Sequence, residues 1–382
     1  MEKDGTTPAD LDEALMTIAD LKEAASAKMP QTVREYFNGG SMDMITLREN
    51  EKAFDRFKIR PRILSNVANI DTSITILGAK VKLPFGFSPA AMHCLAHPDG
   101  EKATSRAAAK CGIPMALSTY STVSLEDVRR EGGANPYAFQ LSILKDRDMT
   151  LDWIKRAEEA GYKALFITVD APVLGRRLNE KPGKKFELPD GLSLPNLAPR
   201  SDKGRHEHKT AAPHRSYHIA GRDPSNSWES VIAWVKANTH LEIWLKGVYT
   251  PEDVLLAIHH GLDGVIISNH GGRQLDGVPA TVDALPECAA VADGRIKVGI
   301  DGGIRRGTDI FKALALGADV CFMGRVPLWG LAYNGQDGVE WAVQTLENEL
   351  RLTMALAGCA SIKDITRQHL SVIGANGLLC KL

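Results

Sequence analysis

Three observations predict an α/β chain folded as a (β/α)8 TIM barrel. Between about residues 81 and 330, short apolar runs alternate with amphipathic segments, the pattern of repeated strand–helix units around a parallel sheet. The runs number eight, which is the count that closes a barrel. Polar residues within them collect at their C-terminal ends, where a barrel of this type builds its sites. An open doubly wound sheet fits the same alternation. Its phosphate loop normally follows the first strand, however, and no GxGxxG follows Ala91.

In chain order, residues 1–60 are expected to form an N-terminal helical cap, in which Met29–Asn38 reads as a helix that brings Tyr36 over the barrel mouth. Residues 61–360 are the barrel. Its strands are predicted at Leu83–Ala91, Met115–Thr119, Tyr137–Ser142, Ala164–Ala171, Glu242–Val248, Gly264–His270, Ile296–Gly303 and Val320–Arg325. Helices are predicted between them at Gly100–Cys111, Ser124–Glu131, Thr150–Ala160, Ser227–Asn238, Pro251–His260, Val282–Ala292 and Thr308–Leu316. Thr150–Ala160 is the clearest, with Leu151, Ile154 and Ala157 on one face and Lys155, Arg156, Glu158 and Glu159 elsewhere.

The segment after the fourth strand, about 181–223, is rich in Pro, Lys, Arg and His and lacks periodicity, so an active-site lid is expected there. Its His206, His208, His214 and His218 lack regular ligand spacing. They read as solvated residues of a basic lid that attracts an acidic substrate, and no metal site is predicted. A C-terminal helix and tail are expected over 361–382.

Composition narrows the function classes. The 382 residues are 44% hydrophobic, and Lys+Arg 46 against Asp+Glu 47 gives a net charge of -1, so nothing global favours nucleic acid or an anionic membrane. The six cysteines are scattered without a CxxC, as in a protein of reduced thiols. With no apolar signal-peptide core and no apolar run of membrane-spanning length, a soluble, non-secreted chain is expected.

The chemistry is concentrated in Ser268-Asn269-His270-Gly271-Gly272-Arg273-Gln274, which leaves the apolar run Gly264–Ile267. A histidine takes a proton from a hydroxyl near neutral pH, and an arginine fork matches a carboxylate. Together on one loop they suggest a substrate with a hydroxyl beside a carboxylate. A plain turn would use the same glycines with solvated His and Arg, but other strand ends are polar too: Ser118 and Thr119, Gln140 and Ser142, Thr168 and Asp170, Lys246, Asp301, and Arg325. Any one of these fits a satisfied core polar group; jointly they read as a site. The turns Asp301-Gly302-Gly303-Ile304-Arg305-Arg306-Gly307 and Gly324-Arg325 follow the last two strands, where glycine N–H groups, arginines and a helix N-terminus make a phosphate nest.

Four segments, SNHGGRQLDGVPATVDALPE, DGGIRRGTDIFKALALGAD, TVDAPVLGRR and RENEKAFDRFKIRPRIL, resemble the FMN-dependent L-2-hydroxy acid oxidase/dehydrogenase family, whose members include glycolate oxidase and lactate oxidase. The resemblance implies FMN at the barrel mouth. It implies His270 as catalytic base, Asp170 as the carboxylate that steadies it, and Lys246 against the flavin. It likewise implies Arg273 and Tyr36 as the grip on the substrate carboxylate, with Arg177 as a second, mobile arginine. Pro89, Ala90, Ala91, Ser118, Gln140 and Thr168 resemble flavin-lining positions, and Ser268 belongs to the same set. Asp301, Gly302, Gly303, Arg305, Gly324 and Arg325 resemble the ribityl and phosphate grip.

The implied reaction is oxidation of a 2-hydroxy acid, with O2 as acceptor and hydrogen peroxide as product, by a homotetramer or homo-octamer. The absence of a haem-binding extension before Met29 favours O2 or a small diffusible acceptor. A dehydrogenase using another acceptor and a non-redox FMN-binding barrel remain alternatives at this level. Cys380-Lys381-Leu382 is a conservative variant of the Ser-Lys-Leu peroxisomal address, so a peroxisomal location is expected.

One position departs from the family pattern. Phe139-Gln140-Leu141-Ser142 resembles a strand that ends in glutamine, leucine and tyrosine, with Ser142 in place of the tyrosine that contacts the substrate hydroxyl. Tyr120 falls where the family lines the side-chain pocket. Two readings stay open at this level: the serine leaves space beside the flavin for a substrate larger than glycolate, or Tyr120 or a water takes over the lost contact.

Overall fold

The computed structural model describes residues 15–178, 188–198, 221–373 and 379–381. Eight parallel strands pair in chain order and close on themselves: β1 (Phe85–Phe87), β2 (Met115–Ser118), β3 (Tyr137–Leu141), β4 (Ala164–Thr168), β5 (Glu242–Val248), β6 (Gly264–Ile267), β7 (Lys297–Asp301) and β8 (Val320–Met323). Each lies within or overlaps a predicted run, and most are shorter, because pairing stops where the chain turns into the site loops.

Side-chain alternation along these strands explains both the core and the site. Ala116, Ala138, Phe166, Trp244, Ile266 and Phe322 share one cluster inside the barrel, closed from below by Ile76, Leu77 and Val81 of the hairpin Ile74–Ile76/Ala79–Val81. Leu117, Phe139, Leu165, Leu245, Val265 and Ile300 belong to the outer cluster, against the helices. Two residues beyond the interior apolar layer, the same strand faces carry Ser118, Gln140, Thr168, Lys246 and Ser268. The period-two pattern thus stacks a dry floor beneath a polar rim.

The surrounding helices are α1 (Ile18–Lys28), α2 (Gln31–Asn38), α3 (Ile45–Lys52), α4 (Gly100–Cys111), α5 (Leu125–Glu131), α6 (Arg147–Ala160), α7 (Trp228–Asn238), α8 (Pro251–His259), α9 (Thr281–Ala292), α10 (Gly307–Ala315) and α11 (Arg325–Ala357). Side-chain caps at Thr17, Ser124, Asp146, Ser227 and Thr250 start five of them, each accepting from a first-turn N–H. The cap α1–α3 is tied to the loop after β6. Asp276 accepts from the Ile45 and Thr46 amides at 3.2 and 2.8 Å, Asn50 and Asn269 exchange side-chain bonds of 2.9 and 2.7 Å, and the Ser41 amide donates to the Gly272 carbonyl.

Two expectations are corrected. The last predicted strand does not reach Arg325, which instead begins α11, a long helix interrupted by non-helical backbone at Asn334 and Gly335. The C-terminal helix expected within 361–382 is absent from the described residues. Short 3-10 turns at Ile362–Asp364 and Arg367–His369 lead into Leu370–Ile373, which pairs antiparallel with Phe57–Ile59 and with Leu379–Lys381. Pairing with a strand more than three hundred residues away satisfied this backbone, a contact no local pattern announces. Most of the expected lid (181–223), His206, His208, His214, His218 and Leu382 lie outside the described residues; within the lid span, Pro195–Leu197 forms a 3-10 turn.

Candidate active site

An open cleft of about 1240 Å³ lies over the C-terminal ends of the strands, beneath α2. Its floor is a buried ion pair between the interior faces of the two strands that flank β6. Lys246 Nζ of β5 stands 2.9 Å from the Asp301 carboxylate of β7 and donates to Ser268 Oγ at 2.9 Å. Ser268 and Ser88 donate to the two carboxylate oxygens at 2.6 and 2.8 Å. Burial alone would raise the Asp301 carboxyl, but Lys246 and the two hydroxyls outweigh it and hold it below the usual carboxylate range.

His270 stands on the rim, its backbone in the left-handed region at φ 58 and its amide bonded to Ser268 Oγ. Its Nδ1 lies 3.0 Å from Asp170 Oδ1, which orients the ring and turns Nε2 to the acceptor role. Gly247 makes room for this carboxylate. A Cβ there would lie 2.5 Å from Asp170 Cβ and 2.6 Å from its Cγ, and a register irregularity in β5 falls at this glycine, whose φ is +107. Gln274 fastens the backbone behind it, donating to the Asp170 and Val173 carbonyls at 3.0 and 2.8 Å.

Tyr36 arrives on α2, as expected. The Arg273 and Arg177 guanidiniums lie 5.0 and 5.3 Å from its ring centroid, and Arg273 Nη1 donates to the Tyr36 carbonyl at 2.7 Å. A phenol and two arginines thus meet beside His270, a setting for a carboxylate.

At the β7–β8 end, Gly302, Gly303, Arg305, Gly324 and Arg325 line the cleft together. Arg325 donates to the Phe37, Gly39 and Gly271 carbonyls, clasping α2 to the His270 loop. Burial, with Arg273 and Arg305 alongside, pulls its guanidinium down to about 9. Arg305 bonds Glu51 at 2.9 Å while its buried Nε has no partner among the described residues. A Cβ at Gly324 would meet nothing closer than Ser88 Cβ at 3.9 Å, so the bare backbone leaves a cradle. Crowded buried cations, an orphaned donor and an open glycine are what a phosphate monoester fits.

Pro89, Ala90, Ala91, Ser118, Gln140, Thr168, Tyr120 and Ser142 line the opposite wall, where Gln140 Nε2 donates to Thr168 Oγ1 at 2.9 Å. Cradle, polar wall and buried cation together fit FMN. Every predicted site residue therefore comes to one place, with Asp170 and Ser268 standing behind the lining side chains rather than among them. Ser88, Gln274 and Arg222 were missed as site residues. Ser88 obeys the strand-end rule and was legible by it. Gln274 closes the Ser268–Gln274 loop, and its sequence context assigns it no role. Arg222 lies near the end of the expected lid segment and carries no local signal that sets it apart from the other basic residues there.

The FMN-dependent dehydrogenase family model matches residues 25–372. An oxidase of Fusarium oxysporum, FUB9, is 52% identical over 367 residues, covering 96% of this chain and 93% of the relative. Glycolate oxidase of Spinacia oleracea is 46% identical over 358 residues, covering 94% and 96%. The crystal structure of mandelate oxidase with (S)-4-hydroxymandelic acid superposes with a TM-score of 0.86 at 38% identity, covering 94% of this chain and 99% of that one. With the barrel, the phosphate cradle and the His270–Asp170 pair in place, the chain belongs to the FMN-dependent dehydrogenase family.

Proposed function

We propose that the protein oxidises an L-2-hydroxy acid to the 2-oxo acid and passes the electrons to O2, with hydrogen peroxide as product. The observation that carries this reading is the His270–Asp170 pair beside Arg273 and Tyr36, over a floor with a buried cation. Arg273 and the Tyr36 hydroxyl hold the carboxylate and thereby place the neighbouring hydroxyl at His270 Nε2. His270 takes the hydroxyl proton, and Asp170 stabilises the imidazolium that forms. FMN, which Gly302, Gly303, Arg305, Gly324 and Arg325 would hold by its phosphate, would supply the two-electron redox chemistry when bound. Lys246 sets a fixed positive charge at the floor, which favours electron uptake there. Anaerobic addition of 2-hydroxy acids tests the reading, because bleaching of the yellow protein is expected and its failure with every acid tried would sink it. Oxygen uptake with stoichiometric peroxide separates the oxidase from a dehydrogenase.

Gly247→Ala is expected to keep FMN and fold while slowing flavin reduction roughly 10-fold or more, since sub-ångström misplacement of a catalytic pair is costly. Stopped-flow reduction checks it. A wild-type rate would show that Asp170 finds its place without the glycine.

We also propose a homotetramer or homo-octamer. Ile63, Leu64, Leu352 and Leu356 are exposed large apolar residues, and the Arg62 amide bonds the Ala357 carbonyl between their two segments, which supports burial of this face by another copy. Light scattering measures it, and a monomer would refute it. The peroxisomal address at Cys380-Lys381-Leu382 is likewise a proposal. Leu379–Lys381 is exposed yet paired as an edge strand, so a receptor would have to peel it away. A fluorescent protein carrying the last dozen residues is expected in peroxisomes; a cytosolic signal would refute the address.

A further inference from the structure

Next to the active-site cleft lies a second cavity of about 980 Å³, between the outer faces of β4 and β5 and helix α7. Ile167, Leu245, Val231 and Ile232 make much of its wall. It shares Ser142, Thr168 and Arg222 with the cleft, so the two spaces meet at these side chains. A tyrosine in place of Ser142 would project a phenol into that junction; the serine leaves it open.

Two buried polar atoms at the junction have no hydrogen-bond partner among the described residues: Ser142 Oγ and Arg222 Nε. Each can donate a hydrogen bond, and leaving such groups unpaired is unfavourable. Arg222 is held in place from behind, donating from Nη1 to the Ala171 carbonyl at 2.6 Å and bridging Leu144 through its backbone. The two acidic side chains that line the second cavity among the described residues are engaged elsewhere. Asp223 faces Arg147 and accepts from Ser225, and Asp253 accepts from the Thr250 hydroxyl at the start of α8. The cation at the junction therefore has room for an anion from the cleft side.

We infer that the substrate is a 2-hydroxy dicarboxylic acid whose second carboxylate is bound by Arg222 and Ser142 at the junction, while its methylenes span the cleft between His270 and these two groups. This rests on the oxidation proposed above, which is unchanged at the reacting carbon: its C–H and O–H bonds break and a C=O bond forms, the hydroxyl proton passes to His270, and the carbon-bound hydrogen and the electron pair go to the acceptor, so that O2 ends as hydrogen peroxide. The inference adds Arg222 as a specificity-determining residue at the far end of the substrate.

The test uses the FMN-loaded protein and oxygen uptake with glycolate, L-lactate, L-2-hydroxyhexanoate, L-2-hydroxyglutarate and L-2-hydroxyadipate. One of the two dicarboxylates is expected to exceed glycolate in kcat/KM by ~10-fold or more, the scale of one charge-assisted hydrogen bond. Arg222→Met should lower kcat/KM for that dicarboxylate by about 10- to 100-fold, mainly through KM, while lactate changes less than about 3-fold. Ser142→Tyr, which narrows the junction, should penalise the dicarboxylates and hydroxyhexanoate more than lactate. As a readout independent of turnover, calorimetric titration with the 2-oxo acid of the preferred dicarboxylate should show the same weakening in Arg222→Met. Equal losses for lactate and the dicarboxylate, or glycolate or lactate ranking first in the wild type, would overturn the inference while the oxidase reading stands. Flavin that bleaches with no acid at all would overturn both.

Discussion

His270→Ala is expected to leave FMN bound and to slow flavin reduction by at least ~10²-fold, the scale on which a positioned general base acts. The phosphate cradle lies at the β7–β8 end and owes nothing to the imidazole, so cofactor retention should be unaffected. What is lost is the acceptor for the hydroxyl proton at Nε2, whose role follows from the 3.0 Å contact of Nδ1 with Asp170. Without it the carbinol must surrender its electrons while still protonated, or first form a free alkoxide. Stopped-flow reduction under anaerobic conditions, alongside the visible spectrum of the bound flavin, measures both quantities. Near-normal reduction in the variant would remove His270 from the chemistry altogether.

Lys246→Met should destabilise the protein by on the order of 3–5 kcal/mol, the usual consequence of removing one partner of a buried pair. Lys246 is 3% exposed and Asp301 4%, so the carboxylate left behind keeps only the Ser268 and Ser88 hydroxyls. The pH dependence carries a sign. In the wild type the depressed Asp301 contributes stability that is present above its unfolded value near 3.8 and is lost as pH falls through the lower folded value. In the variant, burial without the lysine raises that carboxyl. The deficit relative to wild type should therefore be full at neutral pH and shrink as acid protonates Asp301. Urea unfolding across pH checks it, with Lys246→Met/Asp301→Asn expected to recover part of the loss. A deficit independent of pH would show that the lost lysine stem, and not the charge, matters.

The site was legible in unusual detail because a parallel barrel converts sequence position into place: the last interior residues of successive strands, such as Gln140, Thr168, Lys246 and Asp301, must face one another. The loop chemistry of His270 and Arg273 was equally local, since one turn carries both. Gly247 and Gln274 were not legible as site residues, because their roles are to clear and fasten Asp170 from other strands. The cation–π contacts of Arg177 and Arg273 with Tyr36 depend on how α2 lies over the mouth, which Asn50, Asp276 and Arg325 decide across the chain.

By itself, the sequence determined the barrel, its strand order, the residues of the rim and the chemical types they bring, since each follows from periodicities of two and 3.6 residues and from turn chemistry read within a few positions. Tertiary structure alone decided the ending of the chain as a strand against Phe57–Ile59, the pairing of Lys246 with Asp301, and the meeting of two cavities at Ser142 and Arg222. Those outcomes depend on which distant groups share one small volume. Backbone and charge left unsatisfied locally take whatever partner the packed fold brings within about 3 Å, and no window of sequence contains that partner.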